Sequence, residues 1–374
     1  MTKTIYPGQT IGIIGGGQLG RMMALSAREA GFKIAVLDPT MDSPCGQVAD
    51  IQIVAPYDDE AALEELAETS DVITFEFENI DYEGLKRLTE IAYVPQGAEI
   101  IRITQNRVTE KEAIVNAGCP VAPYIVCESY EELVEKIDQI GFPSIVKTAR
   151  FGYDGKGQQK LLSKEDLPLA KNLFNHSQCI VEGFIPFEKE ISVIIQRNGN
   201  GETYCLPVGE NVHINHILHE TIVPARISTE TKQLAEEAAR KIAEHLQLIG
   251  TLAVEMFVLN DGQIIINELA PRPHNSGHYS IEACNISQFA QHIRAVAGWP
   301  LREPKLHSPV VMVNVLGQHV APLSNSITKY PHWSIHLYGK KEAKVNRKMG
   351  HVTILTDNIE ETLIEIEASG IWSE

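Results

Sequence analysis

The chain has 374 residues, of which 44% are hydrophobic and 22% charged, and it carries a formal net charge of −17 at pH 7. That length suggests two or three domains, and the composition is that of an ordinary globular protein. So acidic a chain lacks the extended basic surface that nucleic acid requires, although a few local cations could still hold a small anionic substrate.

The cysteines stand at 45, 119, 127, 179, 205 and 284, with no CxxC among them. Their spacing suits neither a zinc site nor a disulfide framework, so reduced structural thiols are expected. No apolar leader segment opens the sequence, and no run of about 18 apolar residues occurs. A cytoplasmic protein with no membrane span is the expectation.

Residues 10–100 alternate strand and helix signals. Strands are predicted at Ile11–Ile14, Lys33–Leu37, Ile51–Val54, Asp71–Phe75 and Ile91–Val94. Helices are predicted from the Gly15–Gly20 turn to about Gly31, at Glu60–Thr69 and at Tyr82–Glu90. The pattern is that of an open parallel α/β sheet. Gly15, Gly17 and Gly20 satisfy GxGxxG, and Asp38 stands near the usual ribose position, which suits a dinucleotide oxidoreductase. GxGxxG alone is a weak signal. Its physical content is close backbone approach to an anion at a helix N-terminus. Glu76, Glu78 and Asn79 follow a strand's carboxyl end, where ligands bind in such sheets; a plain polar loop is the competing reading.

Gln105–Ala117 reads as a helix carrying Arg107 and Lys111, ended by Gly118 and Pro120. A small α+β unit follows, with strand Tyr124–Cys127, helix Tyr130–Ile140 and a strand ending in Lys147. The next stretch completes Ile145–Gln158, IVKTARFGYDGKGQ. Gly152, Gly155 and Gly157 let the backbone bend around a polyanion, and Lys147 and Lys156 add positive charge. It is not a P-loop, because no Ser or Thr follows a Gly-Lys pair; an exposed basic hairpin turn is the alternative. Ile180–Ile185 is a further strand and its exit. Glu190–Gln196 and Tyr204–Val208 suggest antiparallel strands, and Thr231–Leu246 an amphipathic helix.

Thr251–His278 carries the strongest chemical signal. Two apolar runs flank Asp261-Gly262, a hairpin turn signature. Counting outward from a two-residue loop places Glu255 opposite Glu268. Like charges directly opposite repel, and these sit among Val254, Met256, Phe257, Ile265 and Ile266. A hard cation between them resolves both problems, with Asn267 as a neutral oxygen ligand. Magnesium held by one or two carboxylates plus ATP phosphates has this form. Two solvated glutamates on an edge hairpin are the alternative. The loop after the hairpin, Pro271–His278, is held extended by two prolines and a glycine. Helix Ser287–Ala297 ends at Gly298 and Pro300. From about Pro304 short strands take over, at Val310–Leu316, Ser334–Tyr338 and His351–Leu355, closed by helix Ile359–Ala368. Lys340, Lys341, Lys344, Arg347, Lys348 and His351 form a basic cluster. It suits either a solvated turn or a seat for a 5′-phosphate.

A lysine-ended strand, a glycine-rich loop, an acidic Glu-Gly-Phe-Ile linker and a paired-glutamate hairpin resemble the ATP-grasp ligases. GGGQLGRM, ITFEFENID, KTARFGYDGKGQ, INELAPRPHNSGH and NRKMGH resemble, over essentially the whole chain, the members that carboxylate 5-aminoimidazole ribonucleotide in purine biosynthesis. The resemblance implies an open α/β N-terminal domain at 1–104. It implies a two-lobed ATP-grasp core, with a small lobe at 105–184 and a large lobe at 185–303, and a small β-rich C-terminal domain at 304–374. It implies ATP, Mg2+ and bicarbonate as reaction partners, and a homodimer.

By the same resemblance, Arg107, Lys147, Gly152, Tyr153, Asp154, Gly155, Lys156, Gly157, Gln158, His213, Asn267 and Glu268 meet ATP. Glu182, Gly183, Phe184 and Ile185 take the adenine edge, and Glu190 the ribose. Gly17, Gln18, Glu76, Asn79, Tyr153, His274, Asn275, Lys340, Arg347 and Lys348 meet the ribonucleotide. Glu255 and Glu268 hold the metal. Arg272 stabilises an acyl phosphate or the ADP β-phosphate, Asp154 orients the substrate amine, and Lys156 balances charge. Many members have arginine at the place of Lys156, which weakens any bidentate role for it. A formate-using ligase of the same superfamily and a non-catalytic nucleotide-binding regulator are the alternatives.

Overall fold

The structure, a computed structural model, describes residues 3–150, 157–175 and 178–373. Its first part alternates β1 (Thr10–Ile14), α1 (Gln18–Glu29), β2 (Lys33–Leu37), β3 (Ile51–Ile53), α2 (Glu60–Thr69), β4 (Val72–Phe75) and α3 (Tyr82–Ile91). The strands are parallel in the order β3-β2-β1-β4. β1, β2 and β4 are buried along nearly their whole length, which is why they read as continuous apolar runs. Asp59 and Asp81 start α2 and α3 by accepting the N–H groups of Ala62 and Gly84. The strand expected at Ile91–Val94 is not formed. α3 runs to Ile91, and only the Tyr93 carbonyl, accepting from the Ile73 N–H at 2.9 Å, reaches β4. Pro95 follows at once and has no N–H to continue a ladder.

After α4 (Glu99–Thr104), α5 (Arg107–Asn116) begins at Asn106, whose side chain accepts the Val108 N–H. β5 (Tyr124–Cys127), α6 (Tyr130–Lys136), β6 (Ser144–Thr148), β7 (Gln158–Leu161) and β8 (Cys179–Gly183) follow. Their strands make an antiparallel sheet in the order β5-β8-β6-β7 over its own core of Cys127, Leu133, Val146, Leu161 and Val181. Gln158 opens β7 and pairs with Lys147 across the hairpin.

The remaining elements are β9 (Lys189–Arg197), β10 (Thr203–Cys205), β11 (Gly209–Ile214), β12 (Ile217–Val223), α7 (Thr229–His245), β13 (Gly250–Val258), β14 (Ile264–Ala270), α8 (Ser280–Ala283), α9 (Gln288–Val296), β15 (Val310–Leu316), α10 (Val320–Ser326), β16 (Trp333–Leu337), β17 (Lys348–Leu355) and α11 (Ile359–Ala368). One large sheet runs β14-β13-β9-β11-β12-β15-β17-β16, with β10 on β9. The C-terminal strands therefore extend the sheet of the large lobe through the β12–β15 pairing. The β11–β12 hairpin turns on Asn215 and His216, both at positive φ, as a two-residue type I′ turn requires. The first part docks on the rest through α1 and α9, where Met23, Phe289, Ile293 and Val296 share one core. Among the described residues no helix is long and apolar enough to cross a membrane.

Gly20 lies where α1 leaves the end of β1. A Cβ there would stand 2.5 Å from the Gly15 carbonyl oxygen, a backbone atom that cannot swing away. Gly20→Ala should lower stability by about 1–3 kcal/mol, read as a shift of the denaturant midpoint. An unchanged midpoint would show that the turn has slack.

Candidate active site

The β13–β14 hairpin sets Glu255 opposite Glu268. The turn itself is longer than the two residues expected. The Leu259 N–H donates to Gln263, so Asn260, Asp261 and Gly262 form a three-residue loop with Gly262 at positive φ. A bulge in β14 then inserts Asn267, because Met256 pairs with Ile266 while Glu255 pairs with Glu268. The two offsets cancel, and the expected register results.

Each glutamate has its own basic partner. His274 Nε2 lies 3.0 Å from Glu255, and its Nδ1 meets Ser276 Oγ at 2.8 Å, which in turn accepts from Ser192 on β9. Burial opposes ionisation of Glu255, but His274, His213 and Lys348 together hold its pKa down to about 2. Arg107, at the start of α5, reaches Glu268 at 3.3 Å. Asn267 points its carbonyl at Lys111 Nζ, 2.9 Å away. Among the described residues no group of three or more His, Cys, Asp or Glu side chains converges as a metal site.

On the small-lobe sheet, Lys147 on β6 donates to Glu182 on β8 at 2.6 Å, and Lys111 approaches the other Glu182 oxygen at 3.2 Å. Burial works against this carboxylate, yet Lys147, Lys111 and Arg107 hold it ionised at about 2. Burial, with Arg107 and Lys111 nearby, also pulls Lys147 below the usual lysine range against the pull of Glu182. The N–H groups of Gly183 and Phe184 are committed to the carbonyls of Pro123 and Pro143. Ile185 follows half-buried. Glu190 pairs with His213 Nδ1 at 3.0 Å; burial lowers the His213 pKa, but Glu190 and Glu255 bring it above its ordinary value. Gly157 is in the left-handed region, and its carbonyl accepts from Thr148. Gly152, Tyr153, Asp154, Gly155 and Lys156 lie outside the described residues.

The loop after β14 faces the first domain. Arg272 donates to Glu78 at 2.7 Å and to the Pro273 carbonyl, and its buried Nε has no partner among the described residues. Asn275 is 8% exposed, with neither amide atom hydrogen-bonded. Asn79 is exposed, and Gly17 and Gln18 are half-buried. The glycine turn is already filled. The buried carboxylate of Glu76 accepts the N–H groups of Gly17 and Gly20, and Asp38 accepts those of Gly16 and Thr40 and the Tyr57 hydroxyl. Asp38 is thus fastened to the turn and turned away from any ribose role.

The basic cluster divides. Lys340 turns inward to the Lys348 carbonyl at 2.8 Å, and burial, with Arg347 and Lys348 nearby, lowers its pKa to about 8 against the pull of Glu76. Lys341 pairs with Asp42, Lys344 with Glu342, and exposed Arg347 donates to the Glu342 carbonyl of its own loop. His351 does not belong with these cations. It is fully buried, meets the Tyr338 hydroxyl at 2.9 Å, stacks on His336, and is kept neutral by burial and that neighbour. Gln47 on the first domain donates to the Gly339 carbonyl, so this loop closes over the glycine turn.

Three family models match in succession: a ribonucleotide synthetase preATP-grasp domain over residues 8–105, an ATP-grasp domain over 112–289, and a phosphoribosylaminoimidazole carboxylase C-terminal domain over 310–365. The N5-carboxyaminoimidazole ribonucleotide synthase of Bacillus subtilis is 50% identical over 97% of this chain and 96% of its own length. The chain belongs to the N5-carboxyaminoimidazole ribonucleotide synthase family. The synthetase from Staphylococcus aureus complexed with ADP superposes with a TM-score of 0.95 at 46% identity, covering 98% of each chain. The synthase from Aspergillus clavatus in complex with ADP and 5-aminoimidazole ribonucleotide gives a TM-score of 0.89 at 32% identity, covering 96% of this chain and 97% of that one.

In this family member the N–H groups of Gly16, Gly17 and Gly20, which a pyrophosphate would need, are taken by Asp38 and Glu76. Calorimetry with NAD or FAD should therefore give no binding heat. Stoichiometric binding of either would mean that the two carboxylates can be displaced.

Proposed function

We infer that the chain is an ATP-grasp ligase that carboxylates 5-aminoimidazole ribonucleotide at the expense of ATP, in purine biosynthesis. The observation that carries the residue assignment is the facing pair Glu255–Glu268, joined to the Lys147–Glu182–Lys111 cluster. Lys111 makes the link, reaching both the Asn267 carbonyl and Glu182. Phosphoryl transfer needs such positioning and charge neutralisation more than covalent chemistry from the protein.

The donor set fits magnesium. Both carboxylates supply hard oxygens from directly opposed strand positions, and a 15% exposed Glu255 side chain kept ionised with His274, His213 and Lys348 nearby can serve as a ligand. Glu255 and Glu268 would hold Mg2+ together with the ATP phosphates, where the ion would neutralise charge on the transferring phosphoryl group. His274 and Arg107, now on those carboxylates, orient them.

Lys147 and Arg107 meet the phosphates. With the Gly183 and Phe184 N–H groups already used, the adenine edge is left to the carbonyls of this segment and to the Ile185 N–H. Glu190, oriented by His213, takes the ribose. A bicarbonate oxygen attacks the γ-phosphorus and ADP leaves; the exocyclic amine then attacks the carboxyl carbon, loses a proton, and phosphate departs. Arg272 offers its unpartnered Nε–H to the acyl phosphate, and Asn275 its unpartnered amide to the substrate. Asp154 orients the amine and accepts its proton, with Lys156 balancing charge. Lys340, Arg347 and Lys348 seat the 5′-phosphate, while Glu76, held under Gly17, and Gln18 and Asn79 line the ribonucleotide side.

Glu268→Gln should reduce phosphate release dependent on bicarbonate and 5-aminoimidazole ribonucleotide by about two to three orders of magnitude, a loss typical of removing one charge-stabilising group, with the circular dichroism unchanged. Near-normal turnover would remove Glu268 from the chemistry. Lys348→Ala or Arg347→Ala should raise the apparent KM for the ribonucleotide about ten- to hundredfold, from loss of a hydrogen bond to a charged group, and leave that for ATP alone. An equal rise for both substrates would point to a folding defect.

A further inference from the structure

α5 places Arg107, Glu110 and Lys111 on one face, one helical turn apart. That face lies along the outer edge of β14, the last strand of the large sheet. The three side chains grip three consecutive residues of the strand. Lys111 Nζ donates to the Asn267 carbonyl at 2.9 Å, Arg107 reaches the Glu268 carboxylate at 3.3 Å, and Glu110 Oε1 accepts the Leu269 N–H at 2.7 Å. These are the residues of the bulge and its exit. An edge strand leaves its outward N–H and C=O groups unpaired, and a bulge breaks the ladder further. α5 supplies side-chain partners for two of the groups left over, Lys111 for the Asn267 carbonyl and Glu110 for the Leu269 N–H; burial raises the Glu110 pKa to about 8, so it serves as a hydrogen-bond acceptor and not as a fixed charge.

Both side chains are nearly inaccessible, Glu110 at 3% and Lys111 at 1% exposed. Burying them is an expensive way to dock a helix, because well-packed apolar residues of similar volume usually stabilise as well or better. What the directional hydrogen bonds add here is fixed geometry. Lys111 has a second contact, to Glu182 at 3.2 Å, and Glu182 also takes Lys147. One ammonium group thus touches the strand that ends at the adenine segment and the strand that carries Glu268.

We propose that Glu110 and Lys111 are positioning residues for phosphoryl transfer. Together they hold the β14 bulge that sets Glu268 against Glu255, and Lys111 ties that bulge to Glu182 at the other end of the nucleotide. The proposal rests on the assignment of Glu268 to the metal and nucleotide site.

The test uses full-length protein and calorimetric binding of ADP, with magnesium and with chelator, alongside kcat. Glu110→Leu removes the acceptor for Leu269; Glu110→Gln keeps a carbonyl oxygen there. Glu110→Leu should lose about tenfold or more of the affinity gain that magnesium gives to ADP, as expected when a buried N–H is left without its acceptor, with chelated ADP binding unchanged. Glu110→Gln should restore most of that gain. Lys111→Met should weaken ADP both with and without magnesium, since it touches both ends. A purely structural role would lower the melting temperature and the active fraction but leave both dissociation constants of the folded protein as in wild type. That outcome in Glu110→Leu and Lys111→Met overturns the proposal, and the Glu110 pair decides it alone if Lys111→Met does not fold. Glu268→Gln separates the two levels. If it keeps the magnesium gain, the metal assignment itself falls; if it loses the gain while the other variants keep it, only the positioning role falls.

Discussion

Two carboxylates placed face to face in a partly buried hairpin repel each other and shed water at a penalty. Here each is answered by a separate basic side chain from a different part of the chain. His274 comes from the loop that follows the hairpin, and Arg107 from the start of α5, ahead of the β5-β8-β6-β7 sheet. Much of the surrounding architecture is arranged to deliver those two side chains. The prolines of the 271–273 stretch carry His274 back over β13, Ser276 and Ser192 fix its ring, and Asn106 starts α5 where Arg107 must stand.

The same constraint explains why the site lies at a junction. Lys348, at the head of β17, contributes to keeping Glu255 ionised, and Lys340 beside it feels Glu76 of the first domain. Arg272 crosses from the large lobe to Glu78. Every part of the chain therefore places charge on the same small volume. A net charge of −17 is compatible with an anionic substrate because local cations, Arg107, Lys111, Lys147 and Arg272 among them, stand at this place.

The alternating α/β pattern of the first hundred residues and the paired-glutamate hairpin were legible in the sequence, because both rest on periodicity and turn chemistry. The register of Glu255 and Glu268 came out as counted, yet through two irregularities that the count did not contain, a longer loop and a bulge. The basic cluster was legible as composition only. Which of its members face inward depends on the β16–β17 pairing and on Gln47 holding Gly339, contacts between distant segments. His351 was misread because one residue among cations gives no sign of being buried. Glu110 carried no signal at all, and Lys111 was visible only as one more charge on a helix; acidic and basic residues on a helix ordinarily mark its wet face. Only the tertiary placement of α5 against an edge strand turns them inward.

The continuous large sheet bears on how the chain can be divided. β15 is bonded to β12 on one side and β17 on the other, so the last seventy or so residues are part of the wall of the ligase core. Cutting the chain before Val310 would bare residues 220–223 of β12 as an open edge, a template for pairing with other chains. It would also unroof the apolar face of Ile222, which packs with Val311, Val313 and Val352. A fragment ending at the conventional border of the nucleotide-binding core should accordingly be sticky and poorly folded, and in this chain swapping of tails between relatives amounts to splicing a sheet down its middle.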